Sequence, residues 1–401
     1  MTIRALLASH GRVVGLGYGL ALLSTFGQTP FIAVFVSELR GTFSLTNGAF
    51  GLTYSAATLS SGLLMIWLGS LIDRVDVRLY VTVALLGLAS AALGLSFAPT
   101  LALMGLSLFC LRLFGQGMLS HAAITSTARL PEAIRGRAVG IATIGFPSGE
   151  STLPGLALVL IATIGWQGAW RMASLVILAG LLAGWLVSRS LRPRDADLRA
   201  PVRSATLPGT GPRRVDLLRD ARFLLFIPAM IAPPAIFTAY LIHQRYIAQM
   251  KGWPVELLGT GITIYAVASV VVTMTTGSLV DRFGAIRLSH IHLLGLVAAS
   301  LALALFDDAA TAPLFFALMG VTGGANNVVM PAVLAELFGT RHLGTVRALA
   351  GSICVVASAV TPGIVGILFD SGITPGALAA WFAVFGLVAT AITFALPNPR
   401  A

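Results

Sequence analysis

Residues 69–74 read GSLIDR and residues 277–282 read GSLVDR. Each closes a long apolar run with an Asp-Arg pair, where a membrane-crossing helix would have to stop. The two copies lie 208 residues apart (277 − 69), about half of a 401-residue chain. A charged stop repeated at that spacing implies that the chain is one unit written twice.

Composition says in which solvent the unit folds. Hydrophobic residues make up 57% of the chain and charged ones 10%, with a mean hydropathy of +0.90. A soluble domain carries about 25% charged residues, so too little polar surface remains here to face water. The bilayer is the solvent this composition fits. The net charge of +11 does not point to nucleic acid, because the basic residues fall in short gaps between apolar runs. The two cysteines, Cys110 and Cys354, both lie inside apolar runs and support neither a disulfide framework nor a thiolate metal site.

Apolar runs long enough to cross a bilayer number twelve. Spans 1 to 6 fall near 13–37, 48–72, 78–97, 101–127, 136–163 and 167–188. Spans 7 to 12 fall near 221–248, 257–281, 287–306, 312–335, 345–369 and 376–396. The first has a basic start like a signal peptide, but it is long and lacks a small-residue cleavage site, so it reads as a retained helix. The expected fold is an all-α integral membrane protein: two pseudo-symmetric six-helix bundles, residues 1–188 and 221–401. The Arg- and Pro-rich segment 189–220 reads as a solvated linker, with anionic lipid heads an alternative role for its arginines.

Arginine placement sets the orientation. Arg74 and Arg78, Arg129, Arg135 and Arg137, Arg282 and Arg287, and Arg341 and Arg347 occupy alternate gaps. The other gaps carry Glu38, Glu256, Asp307, Asp308 and Asp370. The Arg-rich side is therefore read as cytoplasmic, with both termini on it.

The longer strings, GSLIDRVDVR (69–78) and GSLVDRFGAIR (277–287), resemble the loop signature of the major facilitator superfamily, roughly G-x-L-x-D-R-x-G-x-R. RLFGQG (112–117), GFPSGESTLPG (145–155), GWQGAWR (165–171) and ELFGTRHLGTVRAL (336–349) resemble further stretches of that family, the second being partly like a helix-5 motif common in antiporters. The resemblance implies a secondary carrier working by alternating access. It also implies that Gly69, Asp73, Arg74, Arg78, Gly277, Asp281, Arg282 and Arg287 form a cytoplasmic gating cluster. The glycines are expected at close helix packing, and the aspartates near helix N-termini and loop arginines. Asp76 stands where the family has glycine, while the second copy keeps Gly284, so the two turns are expected to differ.

Polar residues at membrane depth are candidates for the carrier site. Glu150 is the one carboxylate near the middle of a span, and Arg112 falls near the middle of span 4. A proton-exchanging Glu150 tuned by Arg112, an Arg112 that binds a substrate carboxylate, and a pair that only fixes packing all fit the sequence. His121 lies nine residues beyond Arg112, roughly 13 Å toward the cytoplasm, and joins the proton-coupling candidates. Candidate solute contacts are Gln28, Tyr54, Arg112, His243, Gln244, Tyr265, Asn326 and Asn327; of these, spans 1, 4, 7 and 10 carry Gln28, Arg112, His243, Gln244, Asn326 and Asn327, the spans that line the cavity in the superfamily. Each also fits a plain interhelical hydrogen bond.

No phosphate-binding G-x-x-x-x-G-K-[ST] occurs, and Lys251 is the single lysine. No nucleophile or metal cluster stands out, so no enzyme and no cofactor are expected. The expectation is a monomeric, proton-coupled carrier of a small organic solute in a bacterial inner membrane, leaning to a monocarboxylate-like anion. Proton-driven efflux of drugs or amphiphiles is the alternative.

Overall fold

The computed structural model describes residues 3–189, 214–339 and 343–397. Most of the expected linker, residues 190–213, and Arg341 lie outside them. The described residues contain eleven helical runs long and apolar enough to cross a membrane. One of these, Ile134–Val187, is 54 residues long. At 1.5 Å per residue it would reach about 80 Å, against a hydrocarbon core of about 30 Å. It is broken at Gly165, whose φ of +74° and ψ of 167° are far from helical. Glycine supplies that backbone without a Cβ penalty. Divided there, the run gives spans 5 and 6, and the twelve expected crossings are accounted for.

Large apolar side chains face outward along these helices. Trp67, Met274 and Leu305 are 65%, 76% and 70% exposed. In water such a surface drives aggregation; in lipid it is the matching solvent. The chain is an integral membrane protein.

The helices group into two compact units. The first comprises Met1–Ser44 with Ala56–Ala205, and the second Leu45–Ser55 with Thr206–Ala401. The boundary therefore falls inside the helix Asn47–Leu71. In the first unit, Phe31 meets Trp170 edge-on at 5.2 Å between ring centres, and Phe26 and Phe35 extend the cluster. Leu6, Val13, Val14, Leu130, Ile134 and Ala138 form a second buried group. In the second unit, Tyr240 packs edge-on to Phe315 and Phe382 and donates to Ser300 Oγ at 2.9 Å. There Asp370 accepts from the Asn47 and Gly48 amides at 3.0 and 2.7 Å, so a carboxylate sits on the first turn of Asn47–Leu71.

Several spans are less regular than their apolar patterns imply. Span 1 is helical over Ile3–Ser24, tightens to a 3-10 turn over Thr25–Gly27, and resumes over Thr29–Val34. Span 4 widens to a π-helix over Arg112–Leu119, and span 9 is split into Ala285–Ser289 and Leu294–Leu305. Irregular backbone at membrane depth leaves carbonyls and amides that must find partners. Those partners define the site.

Candidate functional site

The break in span 1 is the centre of the polar interior of the first unit. Pro30 has no N–H, so the chain cannot carry a regular helix through Gln28, which is extended at φ −93° and ψ 157°. Span 4 crosses at this point: a Cβ at Gly27 would collide with the Leu111 carbonyl and lie 2.7 Å from the Gly115 Cα. Only glycine fits. Arg112 is 2% exposed and directs its Nη1 to the Gly27 carbonyl at 3.3 Å and to Thr29 Oγ1 at 3.2 Å. The guanidinium thus replaces the hydrogen bonds that the broken helix has lost, and the backbone in turn offsets the cost of burying a charge.

Span 5 reaches the same break. A Cβ at Gly149 would strike Thr25 Oγ1, and Glu150 is the next residue. Gln28 donates from Nε2 to Ser24 Oγ at 3.2 Å. Gln28 and Arg112, far apart in sequence, are therefore brought together at the irregular stretch of span 1, and Glu150 follows the glycine by which span 5 packs against it. Ser24 and Thr25 were not among the sequence candidates; the signal for them was their position just before Gly27 and Pro30. His121 lies elsewhere: it faces the Gly69 carbonyl and stands in the field of Asp73 and Arg129.

The second unit holds the remaining candidates. His243 Nε2 contacts the Pro362 carbonyl at 2.9 Å, and its ring stands edge-on to Phe369 at 5.3 Å. The adjacent Gly363 amide donates to Ser55 Oγ at 3.1 Å. Tyr265 stands edge-on to Phe237 at 5.8 Å. Tyr54 and Gln244 are buried, Asn326 is half-buried and Asn327 is exposed. Pro362 and Ser55 escaped the sequence reading; a proline inside an apolar span is the sign of backbone groups needing side-chain partners.

The two copies of the opening string are built differently. In the first, Arg129 pairs with Asp73 at 3.1 Å and also donates to the Ile72 carbonyl at 2.9 Å. Asp76 accepts from the Arg78 amide at 2.7 Å and N-caps the next helix, Val77–Ser96. The departure from glycine thus has a local use. In the second, Gly284 takes φ +86° and has no side chain to offer. Glu336 of span 10 caps instead, accepting from the Ala285 and Ile286 amides at 3.0 and 3.1 Å. Asp281, Arg282 and Arg287 are exposed, and Asp281 has no ion-pair partner among the described residues. Arg74 is exposed and Arg78 half-buried. The expected close helix packing at the two glycines is corrected: a Cβ at Gly69 would meet only Met65 Cε at 3.6 Å, and one at Gly277 nothing within 4 Å.

Twelve crossings in two compact units, with buried polar groups held at helix breaks, define a polytopic membrane protein with a polar interior. The comparisons place it further. The family profile described as Major Facilitator Superfamily matches residues 14–244 and again 235–401. This chain belongs to the major facilitator superfamily, and with that family it is a transporter of a small solute and not an enzyme. No curated protein matches its sequence. Among solved structures, a bacterial homologue of the human lysosomal transporter Spinster, in an inward-facing and occupied conformation, is similar with a TM-score of 0.72 and 16% identity, covering 97% of this chain and 96% of that one. The nucleoside transporter NupG, as a point mutant, gives 0.76 and 14%, covering 96% and 100%. Likeness at such identities speaks to the fold.

Proposed function

We propose that the chain is a proton-coupled carrier of a small organic anion, of monocarboxylate type, working by alternating access as a monomer in a bacterial inner membrane with both termini cytoplasmic. The observation that carries this reading is Arg112 buried at the break in span 1, where span 5 also seats through Gly149, the residue before Glu150. A fixed positive charge next to unwound backbone suits a carboxylate, and a carboxyl group in the same neighbourhood suits a proton that travels with it. Glu150 exchanges the proton, and Arg112 binds the anion or tunes Glu150. The alternative, proton-driven efflux of amphiphiles, draws on the seating of Gly145 and Gly149 against span 1, where a Cβ at either would clash with that helix.

The test is flux into proteoliposomes with an imposed pH gradient and a pH dye inside, using a panel of short carboxylates and cationic dyes. Carboxylate uptake that moves protons in wild type, and that loses its proton movement but keeps anion exchange in Glu150→Gln, is the expected result. Unchanged proton coupling in Glu150→Gln removes the assignment, and dye-linked flux alone favours efflux.

A further inference from the structure

The helix Ile3–Ser24 starts ahead of span 1 and kinks at His10, where φ is −128° and ψ 17°. Ser9 Oγ donates to the Leu6 carbonyl at 3.1 Å and contacts His10 Nδ1 at 2.9 Å, so side chains brace the kink. Both arms of the kinked helix seat on the end of span 4 and the start of span 5. Before the kink, Leu6 is 1% exposed and packs with Leu130, Ile134 and Ala138; after it, Val13 and Val14 join the same group. About three turns beyond Leu6, Gly17 meets the last turn of span 4. A Cβ there would lie 2.6 Å from Thr127 Cγ2 and 3.3 Å from the Ala123 carbonyl oxygen.

Arg129 stands between these two contacts, two residues after Thr127 and one before Leu130. Thr127 and Leu130 are fully buried, and the Leu130 amide donates to the Thr127 carbonyl at 3.2 Å. The backbone at the root of Arg129 is therefore gripped on both sides by the first helix. From that grip its side chain reaches the Asp73 carboxylate and the Ile72 carbonyl. Ordering a long side chain takes back much of what an exposed ion pair gains. An anchored root lowers that cost. The Arg129 side chain is 8% exposed and that of Asp73 47%, so the geometry of the pair is set from the Arg129 side.

We propose that Leu6 and Gly17 are positioning residues for the Arg129–Asp73 pair: the first helix clamps the end of span 4 and, through Arg129, sets how readily the end of span 2 lets go. Asp73 lies in the string that the family resemblance assigns to gating. Whichever solute is carried, and whether or not protons travel with it, the clamp acts on the same step.

The experiment is hydrogen–deuterium exchange, read by mass spectrometry, on the full-length protein in nanodiscs. The amides of Asp73, Arg74 and Val75 bond to the Ser70 and Leu71 carbonyls at the end of span 2. In Leu6→Ala, residues 130–138 loosen and these three amides exchange up to about fivefold faster, the weight of one partly exposed ion pair. Leu6→Met, which keeps the volume, restores the wild-type rates. In Arg129→Met, which loses both contacts, the three amides are already fast, and adding Leu6→Ala speeds them no further. Gly17→Ala, which displaces Thr127, gives the same pattern and decides the matter should Leu6→Ala fail to fold. Wild-type exchange at residues 73–75 in a variant whose residues 130–138 have loosened overturns the assignment. So does an effect of undiminished size in the Arg129→Met background.

Discussion

Arg129 closes on Asp73 at 3.1 Å and, with the same Nη2, on the Ile72 carbonyl at 2.9 Å. One guanidinium thereby binds both the carboxylate and the helix end that carries it. Asp281, the counterpart in the second copy, has no such partner among the described residues. Asp73→Asn should therefore lower the melting temperature slightly, by the equivalent of up to about 1 kcal/mol for a half-exposed pair, while Asp281→Asn leaves it unchanged. Thermal unfolding of both variants in detergent checks this, and equal shifts would count against the asymmetry.

Asp76 and Glu336 do the same job at corresponding turns by different routes, and this makes their loss unequal. Asp76→Ala removes an exposed N-cap and should cost about 1 kcal/mol. Glu336→Ala leaves the Ala285 and Ile286 amides without acceptors, and both residues are buried. At about 1–3 kcal/mol for each unsatisfied group, the second variant should be clearly the less stable. Similar stabilities of the two would show that water or a neighbouring group replaces Glu336.

Asp220 gives a pH prediction outside the membrane spans. It caps the helix Ala221–Lys251, accepting from the Arg222 amide at 2.8 Å and from Arg222 Nη2 at 2.7 Å. The Arg222 side-chain hydrogen bonds hold its carboxyl below the usual carboxylate range. Because the folded value is the lower one, its contribution is complete above the unfolded pKa, near 4, and fades as pH falls through the folded value. Asp220→Ala should thus melt earlier than wild type at pH 7 and converge with it in strong acid. A gap between the two curves that stays constant with pH rules out this linkage.

The sequence shows the frame of this protein better than its interior. Apolar length alone marks the twelve crossings, and the doubled string marks the two halves, because lipid imposes both on composition. The tight turn at Thr25–Gly27 and the π-helix at Arg112–Leu119 fall in polar, Gly-containing stretches, STFGQTP (24–30) and RLFGQGML (112–119), which mark an irregularity without saying what form it takes. Partners distant in sequence are harder still. Glu336 reaches Ala285 across 51 residues, and His243 reaches Pro362 across 119, so neither contact shows in any local pattern. Asp76 is the opposite case: an aspartate just before an apolar run is a helix cap that can be read directly.

Arg112 gives the strongest prediction, because its fold role and its proposed solute role separate in one pair of variants. Arg112→Ala removes two charge-assisted hydrogen bonds to Gly27 and Thr29 from a site 2% exposed. At about 1.5–3 kcal/mol for a bond to a charged group, it should destabilise the protein strongly and abolish transport. Arg112→Lys keeps a charge that can reach one of the two oxygens but loses the planar fork. It should recover much of the stability and little of the carboxylate affinity. The check is melting temperature beside carboxylate binding for both variants. If Arg112→Lys restores binding in step with stability, Arg112 acts on transport only by holding the break in span 1, and the anion is bound by other groups.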